Sequence, residues 1–305
     1  MSVHGWIILD KPLELGSTQA VRAVKRNLRQ AGYNMKLKGG IKVGHGGTLD
    51  PLASGILPIA LGEATKLTGR MLDASKTYDF TVKFGEETET LDLEGKVVAV
   101  SDLRPIAAEI AAVLPSFTGP IEQVPPAYSA LMIDGVRAYD RARRGEAVDM
   151  PTRAVTIHAL DLIDAGEDWA TLRAHVSKGT YIRSLARDIA LALGTRGSVT
   201  MLRRLSAGPF TLDHAISLDS LNEIGQGAPL ETKLLPLEAG LVDIPALSLT
   251  PQQAGAVRQG RVLLGQPYPD GLYLARLGNV PVALMMLEGG SAKVERGFNL
   301  SDVAE

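Results

Sequence analysis

Residues 44–55 read Gly44-His45-Gly46-Gly47-Thr48-Leu49-Asp50-Pro51-Leu52-Ala53-Ser54-Gly55. No other stretch restricts the backbone as much. Three glycines in four positions permit positive φ and remove the side chains that would keep a neighbour at a distance. Either the chain turns sharply here or something passes close to it. Pro51 pushes Asp50 toward an extended conformation. Asp50 is thus an acid on a stiff turn, followed by the apolar run Ile56-Leu57-Pro58-Ile59-Ala60-Leu61. Taken alone, Asp-Pro reads equally as an Asx-turn, in which the carboxylate satisfies its own backbone.

The chain is 305 residues long, 45% hydrophobic and 22% charged, which predicts one large globular domain plus a small one. It has no cysteine, which excludes disulfides, thiolate metal sites and a cysteine nucleophile, and suits a reducing, cytoplasmic setting. The five histidines show no paired metal-ligand spacing. The start, MSVHGWIILDKP, is not that of a signal peptide, and no apolar run is long enough to span a bilayer. Neither GxxxxGK[ST] nor a GxGxxG after a strand is present, so no nucleotide or dinucleotide cofactor is expected. The nucleophile must be a carboxylate, a hydroxyl or water.

The net charge of −2 argues against a polyanion as partner, but the distribution argues for one. Between Glu14 and Asp50 there is no acid, while Arg22, Lys25, Arg26, Arg29, Lys36, Lys38 and Lys42 fall in that interval. Arg137, Arg141, Arg143 and Arg144 form a second cluster, and Arg196, Arg203 and Arg204 a third. The acids collect at Glu86, Glu87, Glu89, Asp92 and Glu94. Such segregation is an electrostatic footprint for nucleic acid, or else a set of solvated helix faces.

Periodicity predicts a buried strand over 5–12 and a helix from Ser17 or Thr18 to about Ala31, apolar along Val21, Val24 and Leu28. A short helix is expected over 62–74. Tyr78, Phe80, Val82 and Phe84 alternate with polar residues as in a half-buried strand. A strand over 97–100 and a helix over 103–114, buried along Ile106, Ile110, Val113 and Leu114, should follow. Residues 119–153 are proline-rich and irregular, with a short basic helix at 137–144. Strands at 154–162 and 171–177 lead to a helix over 185–193, closed by Gly194. Residues 211–245 read as helix and connection. Beyond about Pro245, short apolar runs separated by glycines predict a small β domain. The expected domains are 1–245 and 246–305.

The string GHGGTLDPLASGILPIALGEATKL closely resembles the catalytic motif of the TruB family of tRNA pseudouridine synthases. Leu9-Asp10-Lys11-Pro12, Lys76-Thr77-Tyr78, the QVPPAYSAL string at 123–131, Gly179-Thr180-Tyr181-Ile182-Arg183 and Leu202-Arg203-Arg204-Leu205 carry the resemblance through residue 205. Leu13-Glu14-Leu15-Gly16 stands where the family has a more glycine-rich turn. The resemblance implies an α+β pseudouridine-synthase fold. Its central sheet is mixed, mainly antiparallel and flanked by helices, with an RNA-clamping insertion at about 119–153 and a small PUA-like C-terminal domain. It implies isomerisation of a T-loop uridine in tRNA, without a cofactor or metal, by a monomer that contacts no membrane. Asp50, Tyr78 and Arg183 take the catalytic positions, with Arg183 paired to Asp50 through both carboxylate oxygens. His45 would fill the gap left by the flipped base, and Tyr181 and Leu202 would wall the pocket. Lys25, Lys66, Arg141 and Arg144 would contact RNA. Two other classes remain open. A glycoside- or nucleoside-cleaving enzyme would need a second catalytic acid, and a non-catalytic RNA-binding protein would use Asp50 structurally.

Overall fold

The structure, a computed structural model, describes residues 3–36 and 39–300. The first half of the chain forms β1 (Gly5–Lys11), α1 (Ser17–Gln30), β2 (Val43–His45), β3 (Ala53–Leu61), α2 (Thr68–Asp73), β4 (Lys76–Phe84), β5 (Glu86–Thr88), β6 (Val97–Val100) and α3 (Ala107–Val113). Next come β7 (Gly119–Gln123), β8 (Met132–Ile133), β9 (Val136–Arg137), α4 (Ala138–Arg143), β10 (Arg153–Ala165), β11 (Trp169–Val176), α5 (Ile182–Ala192), β12 (Gly197–Ala207), β13 (Phe210–Thr211) and α6 (Leu218–Gly225). The chain finishes with β14 (Ala246–Ser248), α7 (Pro251–Arg258), β15 (Gly271–Leu277), β16 (Val280–Glu288) and β17 (Ser291–Gly297).

One nine-stranded sheet organises the body, in the order β1-β3-β12-β4-β11-β10-β7, with β2 added to β3 and β13 to β12. Only β3 and β12 run parallel; the other pairs are antiparallel. The alternation in β4 sets the faces, because successive side chains point to opposite sides. Phe80, Val82 and Phe84 enter the core beneath α3 and α5 with Leu172, Leu185 and Ile189. On the other face Asp79 takes a two-pronged pair from Arg173 at 2.7 and 2.8 Å. A second core packs α1 and α6 on β1 and β3 through Val24, Leu28, Ile7, Leu57 and Ile224. The small four-stranded sheet, β14-β15-β16-β17, has its own core around Leu247, Val282 and Met285.

A further cluster joins the two sheets. Trp6, Ile8, Ile56 and Phe210 from the body pack with Leu274, Leu284 and Phe298 from the small domain. Burying each of those three contributes roughly 1.5–3 kcal/mol. Lys66 Nζ donates to the Gly297 carbonyl at 2.8 Å, the Asn299 N–H donates to Glu63 at 2.6 Å, and Arg70 pairs with Asp243.

Several expectations need correction. Residues 119–123 are not part of an irregular insertion; they are β7, the edge strand on β10. Ser17 does not cap α1, whose N-cap is Gly16. Ile106 is 63% exposed, so the helix starts later and buries Ile110 and Leu114 instead. β12, in mid-sheet, was not expected as a strand. Lys38 lies outside the described residues.

Gly55 sits at φ +101°, and a Cβ there would lie 2.2 Å from the Arg204 carbonyl oxygen across the parallel pair. Neither backbone can retreat without breaking the ladder. Gly55→Ala should therefore lose about 3 kcal/mol or more of stability in denaturant unfolding. A loss below about 1 kcal/mol would show that the β3–β12 junction tolerates displacement.

Candidate active site

Asp50 lies on the loop between β2 and β3, and nearly every group of that loop is tied down. The Ser17 hydroxyl donates to the Leu49 carbonyl and accepts from the Leu49 N–H, both at 2.8 Å. The Glu14 N–H donates to the Pro51 carbonyl at 2.8 Å. Glu14 adopts φ +66°, so a non-glycine residue here takes the left-handed turn for which glycine is the usual choice. Lys11, fully buried, donates from Nζ to the carbonyls of Pro12, Leu15 and Pro51 at 2.9, 2.7 and 3.4 Å. Gly46 leaves no room for a side chain, since a Cβ would meet that of Met71 at 2.7 Å. What comes close to this backbone is the protein itself.

The Asp50 carboxylate makes no hydrogen bond to its own loop among the described residues. It pairs with Arg183, Oδ2 to Nη2 at 2.9 Å. The Asx-turn reading therefore falls. Arg183 stands in the first turn of α5 and is 6% exposed. The neighbouring Ser184 hydroxyl donates to the Val124 carbonyl at 2.8 Å. The two-oxygen pairing is also corrected. Arg183 gives one nitrogen to Asp50 and spreads its other bonds. Nη1 meets Asp92 Oδ2 at 3.3 Å and the Thr90 carbonyl at 2.8 Å, and Nη2 donates to the Tyr128 carbonyl at 3.0 Å.

Asp92 is the residue that sequence reasoning placed wrongly, among acids thought to collect away from the site. It is 8% exposed, and its other oxygen accepts from the Thr90 hydroxyl at 2.5 Å and the Glu94 N–H at 3.0 Å. Leu91, between Thr90 and Asp92, holds φ +62°. Such strain persists only where the surroundings impose it.

A cleft of about 380 Å³ opens beside Asp50. Tyr78, Tyr181, Leu202 and Arg183 line it, as expected, with Thr48, Lys76 and Arg204. Ser129, Ala130, Leu131 and Arg137 of the insertion close one side. Register explains the convergence. Leu202 sits opposite Ala53 on β3, and Tyr78 on β4 sits opposite Arg204 on one side and Ala174 on the other. The Gln123 amide exchanges two hydrogen bonds with the Tyr181 backbone, at 2.8 and 3.2 Å, fastening the end of β7 to the start of α5. Burial raises the Tyr181 phenol above its ordinary pKa. His45 does not line the cleft. Burial and then the Arg204 charge lower its pKa, so the imidazole is neutral near pH 7.

The cation clusters divide. Arg22, Lys25 and Arg29 are exposed on α1 and form no ion pair among the described residues. Arg144 is exposed and Arg141 half-buried; both share Glu146, and Arg141 also meets Asp134. Lys66 is away from the cleft. It pairs with Glu63 at 2.6 Å and lines a separate groove of about 850 Å³ between α2 and the small domain. The third cluster turns inward: Arg196 pairs with Glu87, Arg203 with Asp10, and Arg204 is buried. No group of metal-ligating side chains occurs among the described residues. No helix there is long and apolar enough to cross a membrane.

Residues 33–182 match the model of the TruB family pseudouridylate synthase N-terminal domain, and residues 183–242 that of the tRNA pseudouridylate synthase B C-terminal domain. The chain is 70% identical to tRNA pseudouridine synthase B of Novosphingobium aromaticivorans, over 99% of this chain and 100% of that one. It is 56% identical to the protein of the same name from Zymomonas mobilis, over 98% and 97%. Among solved structures it is similar to an H/ACA ribonucleoprotein bound to a substrate RNA containing 2′-deoxyuridine, with TM-score 0.72 and 24% identity over 98% of this chain and 86% of that one. It is similar also to a Cbf5-Nop10-Gar1 complex, with TM-score 0.72 and 26% identity over 96% and 84%.

Burial lowers Lys11 from 10.5 to about 8, opposed by the charge of Asp50 and reinforced by that of Arg204. The folded chain thus binds fewer protons than the unfolded chain between about pH 8 and 10.5, and stability rises with pH there. Below that window the penalty on the charged form is fully present. Lys11→Met should flatten the rise when unfolding free energy is measured across the window. A variant as steep as the parent would show that Lys11 is not its source.

Proposed function

The chain belongs to the TruB family of pseudouridylate synthases, and from that premise we propose that it converts U55 in the T loop of tRNA to pseudouridine with Asp50 as nucleophile. The enzyme is an isomerase. The observation that carries the finer reading is the Asp50–Arg183 pair at the edge of a cleft walled by two tyrosines and a leucine. Isomerisation breaks the ribosyl C–N bond, turns the uracil and rejoins it through carbon. Breaking such a bond calls for a carboxylate, as nucleophile or as partner to a cation-like transition state. Arg183 lies against that carboxylate and holds it in place. A base inside RNA structure must first leave its stack. Tyr78 or Tyr181 then offers a ring face to the extruded uracil, and in this reading the Tyr78 hydroxyl moves a proton.

The geometry disfavours a glycosidase. Asp92 is the second carboxylate nearby, but it is buried and bonded at both oxygens, so neither oxygen is free to meet a leaving group. In this reading tRNA lies along the exposed cations of α1, the insertion with Arg141 and Arg144 covers the T arm, and the PUA-like small domain meets more distant RNA. Lys66 supports that domain. The enzyme works as a cytoplasmic monomer without cofactor.

Incubation with T-arm RNA should give isomerised uridine at unchanged mass. Asp50→Asn should abolish it while leaving folding and RNA affinity intact, because the change removes charge and hardly any volume. Product from an Asn variant free of parent enzyme would overturn the assignment of Asp50. Loss of base would favour the glycosidase instead.

Affinity for tRNA should fall steeply with salt, since each neutralised phosphate releases counterions. Exchanging Arg22, Lys25 and Arg29 together for glutamine should reduce the slope of log K against log salt by about 2–3. An unchanged slope would move the RNA to another face.

A further inference from the structure

Arg204 is 1% exposed, yet it meets no carboxylate among the described residues. A buried cation ordinarily has a counter-charge, so its placement needs a reason. All three nitrogens are spent on main-chain carbonyls. Nε donates to Ile56 at 2.6 Å, Nη1 to Thr48 at 3.2 Å and Nη2 to Gly47 at 3.3 Å. Two of those carbonyls lie shortly before Asp50 in the chain, and the third lies beyond it. The Arg204 main chain also sits against Gly55 in the parallel ladder. One residue of β12 therefore grips the catalytic segment at both ends, while Arg183 holds its carboxylate.

We propose that Arg204 is a positioning residue for the isomerisation: its guanidinium fixes residues 47–56 so that Asp50 stands at the reacting nucleoside, and it binds no RNA itself. The inference rests on Asp50 as nucleophile. A glycine-rich segment left to itself samples many conformations, and each non-productive one lowers the fraction of molecules able to react. Charged donors on three carbonyls reduce that sampling, because each such bond is stronger than a neutral one. The neighbouring Arg203 supplies a comparison on the same strand. It is one-third exposed and pairs with Asp10 of β1 at 2.8 and 3.0 Å. It also meets the Ser54 hydroxyl at 3.4 Å, and among the described residues it donates to no carbonyl of the loop.

Arg204→Lys keeps the charge but replaces the planar fork, whose three nitrogens each meet a different carbonyl, with a single nitrogen. At saturating T-arm RNA its single-turnover rate per folded molecule should fall on the order of 100-fold, with the dissociation constant unchanged within about twofold. Arg204→Gln should fall further in rate with affinity still unchanged; if it does not fold, the lysine variant carries the test. Arg203→Lys should lower the unfolding temperature while keeping the parent rate. Arg204→Lys reacting at the parent rate would overturn the proposal and leave a purely structural arginine. A dissociation constant rising in step with the rate loss would also overturn it, by making Arg204 an RNA ligand. Asp50→Asn, run alongside, separates the two readings. An active Asn variant sinks the nucleophile; an inactive one beside a fast Arg204→Lys sinks only the positioning role.

Discussion

The site depends on one buried guanidinium. Arg183 collects Asp50 from the glycine-rich loop, Asp92 and the Thr90 carbonyl from the acidic loop, and the Tyr128 carbonyl from the insertion. These segments are far apart in sequence, and one cation joins them. Removing one partner from a buried pair typically costs 3–5 kcal/mol, because the charge left behind is uncompensated. The same side chain holds the carboxylate on which the proposed chemistry rests.

Around that cation the charge balance differs from that of the whole protein. Lys11, Lys76, Arg183 and Arg204 all lie within a tenth exposed, beneath or beside the cleft. Lys76 donates to the carbonyls of Met71, Leu72 and Ala74, and burial holds its pKa down to about 8. Three of the four spend their donors mainly on carbonyls. The region thereby acquires positive potential without offering loose cations that could be displaced by salt. A formal charge of −2 for the chain says nothing about this, because only Asp50 and Asp92 pair with these four cations among the described residues.

Much of the frame was legible. Apolar alternation located β4, helical spacing located α1, and the glycine and proline pattern located the loop of Asp50. Each of those signals is local. β12 was missed because its pairing with β4 is interrupted between Val199 and Met201 and again between Arg204 and Ser206, which breaks the period-two pattern. Two adjacent arginines also read as surface residues until the ladder and its carbonyls turn them inward. Asp92 was missed for a different reason. Its partner is 91 positions away, by subtraction of the residue numbers, and nothing in an acid-rich loop marks which acid will be buried. Ser17 looked like a helix cap because a cap needs only local chemistry, whereas its partner Leu49 is supplied by the fold.

The apolar cluster shared by Trp6, Phe210, Leu284 and Phe298 makes the small domain an arm set at a fixed angle. The joint combines this apolar contact with hydrogen bonds from Lys66 to Gly297 and from Asn299 to Glu63 at its rim. If tRNA contacts both sheets, as proposed above, this joint sets the spacing between the arm and Asp50, and a substrate of the wrong length or bend would be rejected by distance alone, before any base is read.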